Sequence, residues 1–462
     1  MNNTFRTSLS KTLIAVAIAS ATSAAQASSF ALIDHSASGQ GAAYAGAAAV
    51  AEDASTIYFN PAGMTRLSGQ QIVIAGHIIS PDASYTDSGN STTFAGSPLQ
   101  GSNSTTGDPA FIPNFYYAAE LDNGVHVGVG VNVPFGLATD YDDGWYGRYH
   151  AMKSEIQTIN INPSIAWKAT DSVSVGFGLS IQYADLTLTN NIDSMAACLN
   201  IEAAAGMAMG CDYTVPGDAS RDSSVNLSGD STEIGWNAGI MIDLDEKSRL
   251  GVAYRSAIKH DVTGDANYNL DGTLDAVAAA ATGAFGYNIL QDTSLQAAAA
   301  LPETFSISFA GDVSKEWTVL ADWTWTGWSS LDTITVVQSG VIPGSDPVLD
   351  LQYQNSNRYS VGAHYKPEGK LIYRGGLAYD ETPIRSAETM TPRIPGNDRT
   401  WLTFGIGYIP AESWSLDFAY SHLFISDTDI ANGPSQSSSG TTLVGSYESS
   451  VDILSAQATF NF

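Results

Sequence analysis

Runs that alternate apolar residues with small or polar ones recur along this chain, and that period of two most constrains its fold. Val125, Val127, Val129, Val131 and Val133 alternate with His126, Gly128, Gly130 and Asn132. Val173, Val175, Phe177, Leu179 and Ile181 alternate with Ser174, Gly176, Gly178, Ser180 and Gln182. Trp414, Leu416, Phe418 and Tyr420 alternate with Ser415, Asp417, Ala419 and Ser421. A pleated strand sends successive side chains to opposite faces, so each run reads as a strand with one greasy and one small, polar face. A soluble sandwich has the same alternation, but the connections separate the two. Short ones (Leu121–Gly124, Thr170–Ser172, Asp245–Ser248, Ser314–Glu316, Pro367–Lys370, Ala411–Ser413) alternate with long ones (81–110, 134–154, 189–230, 264–302, 337–352, 381–397, 427–447). Short turns on one side of a membrane and long loops on the other mark a membrane barrel. The runs between these connections number 14, an even count that returns both termini to the short-turn side. The expected fold is all-β: a 14-stranded antiparallel transmembrane β-barrel over 69–462.

Both ends of the chain fit an exported barrel. Arg6 and Lys11 precede a short apolar run, Thr12 to Ala19, and Ala25-Gln26-Ala27 follows. That is the pattern of a cleaved signal, 1–27, and it is too short to anchor as a helix. No later window is apolar for the eighteen or so residues that a spanning helix needs. At the other end Leu454, Ala456, Ala458, Phe460 and Phe462 alternate with Ser455, Gln457, Thr459 and Asn461. A closing strand that finishes on Phe resembles the signal read by the barrel assembly machinery. Trp317, Trp323, Trp325, Trp328, Trp401 and Trp414 lie near strand ends or on apolar faces, and are expected in interfacial girdles.

Between signal and first strand lies 28–68, rich in Ala, Gly and Ser and almost without large aliphatics. It cannot build a core of its own, but small residues suit a peptide threaded where backbone meets backbone. It reads as a plug inside the barrel. Its turn formers, Asn60, Pro61, Ala62 and Gly63, are at once an anchor and the candidate gate.

The chain has 47 acidic and 19 basic residues, a formal charge of −28, which excludes a nucleic-acid partner. Cys198 and Cys211 stand close in one Ala/Met-rich stretch, and in an exported chain they read as a disulfide worth about 3 kcal/mol. A metal site or redox dithiol is the alternative, without further ligands nearby. Ile192 to Met209 and Leu274 to Ala300 look partly helical, with Met195, Met207, Met209 and Phe285 among alanines. They either pack over the barrel mouth or form an adaptable apolar capture surface.

No catalytic pattern is present. Gly39-Gln40-Gly41 has no preceding strand and no third glycine at fingerprint spacing, and G-x-S-x-G and H-E-x-x-H are missing. His35, His77, His126, His150, His260, His364 and His422 are scattered without ligand spacing. No catalytic residue, metal site or cofactor is assigned.

Ser36-Ala37-Ser38-Gly39, Tyr44-Ala45-Gly46, Asp53-Ala54-Ser55-Thr56 and Asn60-Pro61-Ala62-Gly63-Met64 resemble the N-terminal hatch of the FadL family. Pro134-Phe135-Gly136-Leu137, Gly235-Trp236-Asn237-Ala238-Gly239, Tyr254-Arg255-Ser256, Leu301-Pro302-Glu303, Asp398-Arg399-Thr400-Trp401-Leu402 and Phe462 continue the resemblance along the mature chain. It implies an outer-membrane transporter, monomeric and surrounded by lipopolysaccharide, that passes long-chain fatty acids or other hydrophobic molecules by diffusion. Ligand would be captured among the outer loops and leave past the hatch through a gap in the wall. Gly128, Gly130 and Pro134 make the third strand the place for that gap, although glycines facing a plug have a simpler cause. A fatty acid needs a basic partner for its carboxylate. Tyr183-Ala184-Asp185 carries an acid where the family implies a base, and Tyr353 to Asn357 lacks a lysine. The remaining candidates are Arg66, Arg148, Lys153, Arg255 and Arg358, joined by Met195, Met207 and Phe285 as apolar contacts. An uncharged hydrocarbon or aromatic is the alternative ligand. A lipid-hydrolysing barrel enzyme and a surface receptor or adhesin are the rival functions.

Overall fold

The structure, a computed structural model, describes residues 29–462; the signal segment expected at 1–27 lies outside the described residues. Fourteen strands close into one antiparallel barrel. They are β1 Gln70–Asp87, β2 Ala110–Glu120, β3 Val125–Asn132 continued by Gly136–Asp140, β4 Lys153–Lys168, β5 Val173–Ile192, β6 Ser223–Asp243 and β7 Ser248–Arg255 continued by Ile258–Asn269. Next come β8 Thr293–Leu301 continued by Thr304–Asp312, β9 Trp317–Thr326, β10 Ser356–Tyr365, β11 Leu371–Asp380, β12 Arg399–Ala411, β13 Trp414–Ile425 and β14 Leu443–Asn461. β14 pairs with β1 from Gln71↔Asn461 to Asp87↔Gly445, which closes the cylinder and leaves no edge.

The pleat sorts the faces. On β5, Phe177, Leu179 and Ile181 are exposed while Ser180 and Gln182 are buried. On β12, Leu402, Phe404, Ile406 and Tyr408 point out while Arg399, Trp401 and Thr403 are buried. Apolar outside and polar inside reverses the soluble arrangement, because hydrocarbon surrounds this wall. No helix among the described residues is long and apolar enough to cross a membrane.

Three expectations need correction. Trp328 and Trp401 are fully buried and belong to the lumen, not to a girdle; Trp401 shares its face with Arg399 and Thr403. Exposed Trp167 and Trp236 face outward instead. The strands also run farther outward than the apolar alternation does: β5 reaches Ile192 and β6 begins at Ser223. Beyond the hydrocarbon the outer face turns polar, as at Asn226 and Asp230, so the period fades while backbone pairing persists. Finally, the helical stretch expected to Ala300 ends at Phe285, and 293–301 is strand.

The lumen is filled by residues 29–67. Helical turns Ala37–Gln40, Ala47–Val50 and Thr56–Phe59 lead into the 3-10 helix Pro61–Arg66. Wall glycines admit its backbone: a Cβ on Gly176 would strike Ala62 N, and one on Gly239 would strike Asn60 Oδ1. Polar ties complete the fit. Glu52 accepts from Arg374 (3.0 Å) and Lys366 (3.1 Å) and lies 3.1 Å from His364, while Arg374 also bonds Asp417 at 2.6 Å. Gln457 donates to Asp53 at 2.8 Å, and Gln40 to Ser421 at 2.9 Å.

Candidate functional site

Asn60 is the best-anchored residue of the plug. Its Oδ1 accepts from Ala62 N (3.0 Å), which caps the 3-10 helix that Pro61 opens. Its Nδ2 donates to Ala48 O (2.7 Å) within the plug and to Ile240 O (3.1 Å) of β6. Asn60, Pro61, Ala62 and Gly63 are all buried. One side chain thus joins two parts of the plug to the wall.

Above the plug lies an apolar cavity with about 100 Å³ of open space. Its walls are Ala184, Leu186 and Leu188 of β5, Leu227 of β6 and Leu301 of β8. Leu331, Leu351 and Ile394 close it from the outer side, and Phe30 of the plug is part of its lining. Phe30 packs against Trp328 (5.2 Å between ring centres) and Phe135 (5.9 Å). A larger concavity of about 1140 Å³ lies against exposed Ile74, Phe404 and Phe418. That one faces the hydrocarbon and is a groove between lipid-facing side chains, so the inner cavity is the candidate site.

Among the few polar groups of the cavity one is charged: Arg393, only 8 % exposed. It comes from the 381–398 connection. Its guanidinium donates to Ser154 Oγ (3.1 Å), Asn190 Oδ1 (3.2 Å), Thr189 O (3.3 Å) and Lys153 O (3.4 Å). All four are neutral acceptors, and no carboxylate pairs with it among the described residues. Burial pulls its pKa down to about 10, so it stays protonated at neutral pH. A buried cation without an anion is costly unless a ligand supplies one.

Next to the cavity the wall is broken. β3 stops at Asn132 and resumes at Gly136, and Val133-Pro134-Phe135 lies between. Proline cannot donate to a ladder, and β2–β3 pairing ends at Phe115↔Val131. The plug fills the break: Leu32 N donates to Pro134 O and Gly136 N donates to Phe30 O, both at 2.9 Å. Gly128 is explained otherwise, since a Cβ there would meet Ile57 and Met64 of the plug.

The basic residues singled out from sequence do not reach this cavity. Arg66 pairs with Asp243 at 3.0 Å, both well exposed. Arg148 is fully buried among outer loops, bonded to Asp222 (2.8 Å), Gln100 O, Trp145 O, Tyr149 Oη and Gly217 O. Lys153 pairs with Glu155 on the exterior. Arg255 stacks over Tyr58 (4.1 Å) and bonds Tyr58 O and Ser180 Oγ, which ties plug to wall. Arg358 donates to Ala43 O (2.9 Å) and lies over Trp401. Asp185 is exposed on the outer face of β5 while Ala184 and Leu186 line the cavity, so the acid does not oppose a bound carboxylate.

The outer loops carry helices Ser194–Ala205 and Gly272–Phe285, which pack through Cys198, Ile201, Leu274, Val277 and Ala281. Cys198 and Cys211 form a disulfide there. Met207 and Phe285 are exposed on this surface and Met195 is half-buried. Arg393 was missed because its loop has no period to read. Its one signal is rigidity: Pro392 and Pro395 flank Arg393-Ile394, an arrangement that aims a side chain.

Residues 18–462 match the family model described as outer membrane protein transport protein (OMPP1/FadL/TodX). A long-chain fatty acid transport protein of Escherichia coli O6:H1 is 29 % identical over 422 residues, covering 90 % of this chain and 92 % of that protein. The crystal structure of a Pseudomonas aeruginosa FadL homologue superposes with a TM-score of 0.85 at 25 % identity, over 94 % of this chain and all of the other. The Pseudomonas putida toluene transporter TodX shares the fold at TM-score 0.67 and 18 % identity, over 94 % of this chain and 100 % of that one.

Proposed function

Because the chain belongs to the FadL family of outer-membrane transporters, we propose that it carries hydrophobic carboxylates, long-chain fatty acids foremost, by passive diffusion. The observation that carries this reading is Arg393: a charged guanidinium in the wall of an apolar cavity, without a counter-ion among the described residues. A carboxylate there would supply the missing charge while its chain replaces water against Leu186, Leu188 and Leu227. Capture begins on the loop helices, at Met207 and Phe285. The cavity is narrow, so a long ligand must displace Phe30. Phe30 O accepts from Gly136 N, so that displacement frees the break at Val133-Pro134-Phe135 and opens the wall. Asn60 and Pro61 hold the rest of the hatch, residues 28–68, while its first residues move. Residues 1–27 are removed on export, β14 is recognised by the assembly machinery, and the barrel works as a monomer among lipopolysaccharide.

The test is uptake of labelled oleate and labelled toluene in a host without its own hydrophobe transporter. Oleate uptake that Arg393→Met abolishes is the expected result. Toluene uptake alone would move the ligand to uncharged aromatics. If correctly assembled barrel passes neither, the transport reading fails.

A further inference from the structure

The cavity touches a second weak place in the wall. β6 and β7 pair from Asn237↔Arg255 downward and from Asp230↔Thr263 upward, and between them the ladder lapses. Ser231–Gly235 of β6 and Ala257–Val262 of β7 are not paired with each other, although Ser231–Gly235 pairs with β5 and Ile258–Val262 with β8. The lapse is bounded below by Ser256, which bonds Trp236 through both its amide and its hydroxyl. It stands in register with the β3 break, because Ser231↔Ala184, Ala184↔Thr158, and Thr158 bonds Phe135.

Side chains, not backbone, close this seam. His260 lies in it, with Nε2 2.9 Å from Gln182 Oε1 and Nδ1 2.8 Å from Ser231 Oγ. With Gln182 Oε1 as acceptor, Nε2–H donates and Nδ1 accepts from the Ser231 hydroxyl. On either side the β6 residues are glycines: Ile258 covers Gly235, and Val262 covers Gly229. His260, Val262 and Gly229 line the cavity. On the outer side Ile234 is 71 % exposed, and the Lys259–Asp261 pair lies just beyond the apolar band. A single layer of rotatable side chains therefore separates the cavity from the outer edge of the hydrocarbon.

We infer that the β6–β7 seam is a second lateral portal of the cavity, latched by the Ser231–His260–Gln182 hydrogen bonds and passing apolar ligand to the outer leaflet. Moving three side chains opens it without breaking a backbone ladder, which is the expensive step elsewhere in a barrel. This rests on the transport reading above.

A Ser231→Cys, His260→Cys variant tests it. Oxidation, confirmed by a gel shift, is expected to slow oleate uptake several-fold, with recovery on reduction, while wild type treated with the same reductant is unchanged. Equal uptake in the cross-linked and reduced states overturns the portal. A second measurement does not need transport: purified wild-type barrel in phospholipid vesicles is labelled with a photoactivatable diazirine fatty acid and mapped. Labels within 231–235 and 257–262, as well as at 133–135, support the portal, and labels confined to 133–135 overturn it. The two readings fail separately, because absent wild-type uptake sinks transport while the label map decides the seam.

Discussion

Two arginines show how similar side chains acquire different work. Among the described residues Arg393 has neutral acceptors only, whereas Arg148 is locked to Asp222 with four further acceptors from three loops. Removing half of a buried pair strands the other charge, so Arg148→Ala is expected to cost about 3–5 kcal/mol. Thermal unfolding of the purified barrel would show a clear fall in Tm. An unchanged Tm would mean the loop knot carries no stability. Arg393→Met should behave oppositely. It removes an uncompensated buried charge of matching bulk, so the unliganded Tm is expected to hold, while oleate affinity falls by about 1.5–3 kcal/mol, the worth of hydrogen bonds to a charged group. A large loss of Tm in that variant would make Arg393 a structural residue. Neither role follows from residue type: the difference is whether a carboxylate stands beside the guanidinium.

The hatch and the wall fit as elements because each supplies what the other lacks. Gly176 and Gly239 leave the space that Ala62 and Asn60 occupy. Gly239→Ala is expected to dislodge the Asn60 anchor without unfolding the cylinder, whose strands pair mainly with one another and meet the hatch backbone at Phe135, away from Asn60. Cells with the variant should admit a bulky hydrophilic antibiotic that wild type excludes, from a barrel that still migrates as a folded band. Unchanged exclusion would mean that the ties through Glu52, Asp53 and Gln40 hold the hatch alone. The alternation of Gly176 with Phe177 was legible as a strand with a small inner face. That the small face serves a backbone, rather than water or a ligand, needed the partner segment in place.

At the scale of the molecule, an apolar cavity with a permanent cation discriminates ligands by charge. Arg393, with its pKa lowered to about 10, is protonated throughout pH 5–8, so its own titration contributes nothing there. A carboxylic acid ligand ionises above roughly pH 4–5. Oleate affinity of the purified barrel is therefore expected to be flat from pH 6 to 8 and to fall as pH drops below about 5, while toluene affinity stays flat. Equal pH profiles for the two ligands would remove charge recognition from the mechanism. The sequence by itself determined the cylinder: strand period, connection lengths and the closing Phe462 are local properties, and a strand's two faces are set by its own residues. It also determined that residues 28–68 have no core of their own. Only tertiary structure decided which base meets the cavity, since Arg393 arrives from a loop without period, while Arg255 and Arg358 are spent on the hatch. It alone decided the weak place at Ser231–Gly235, because the lapse there depends on the register of the facing strand, whereas Pro134 already marked the break on the third strand in the sequence.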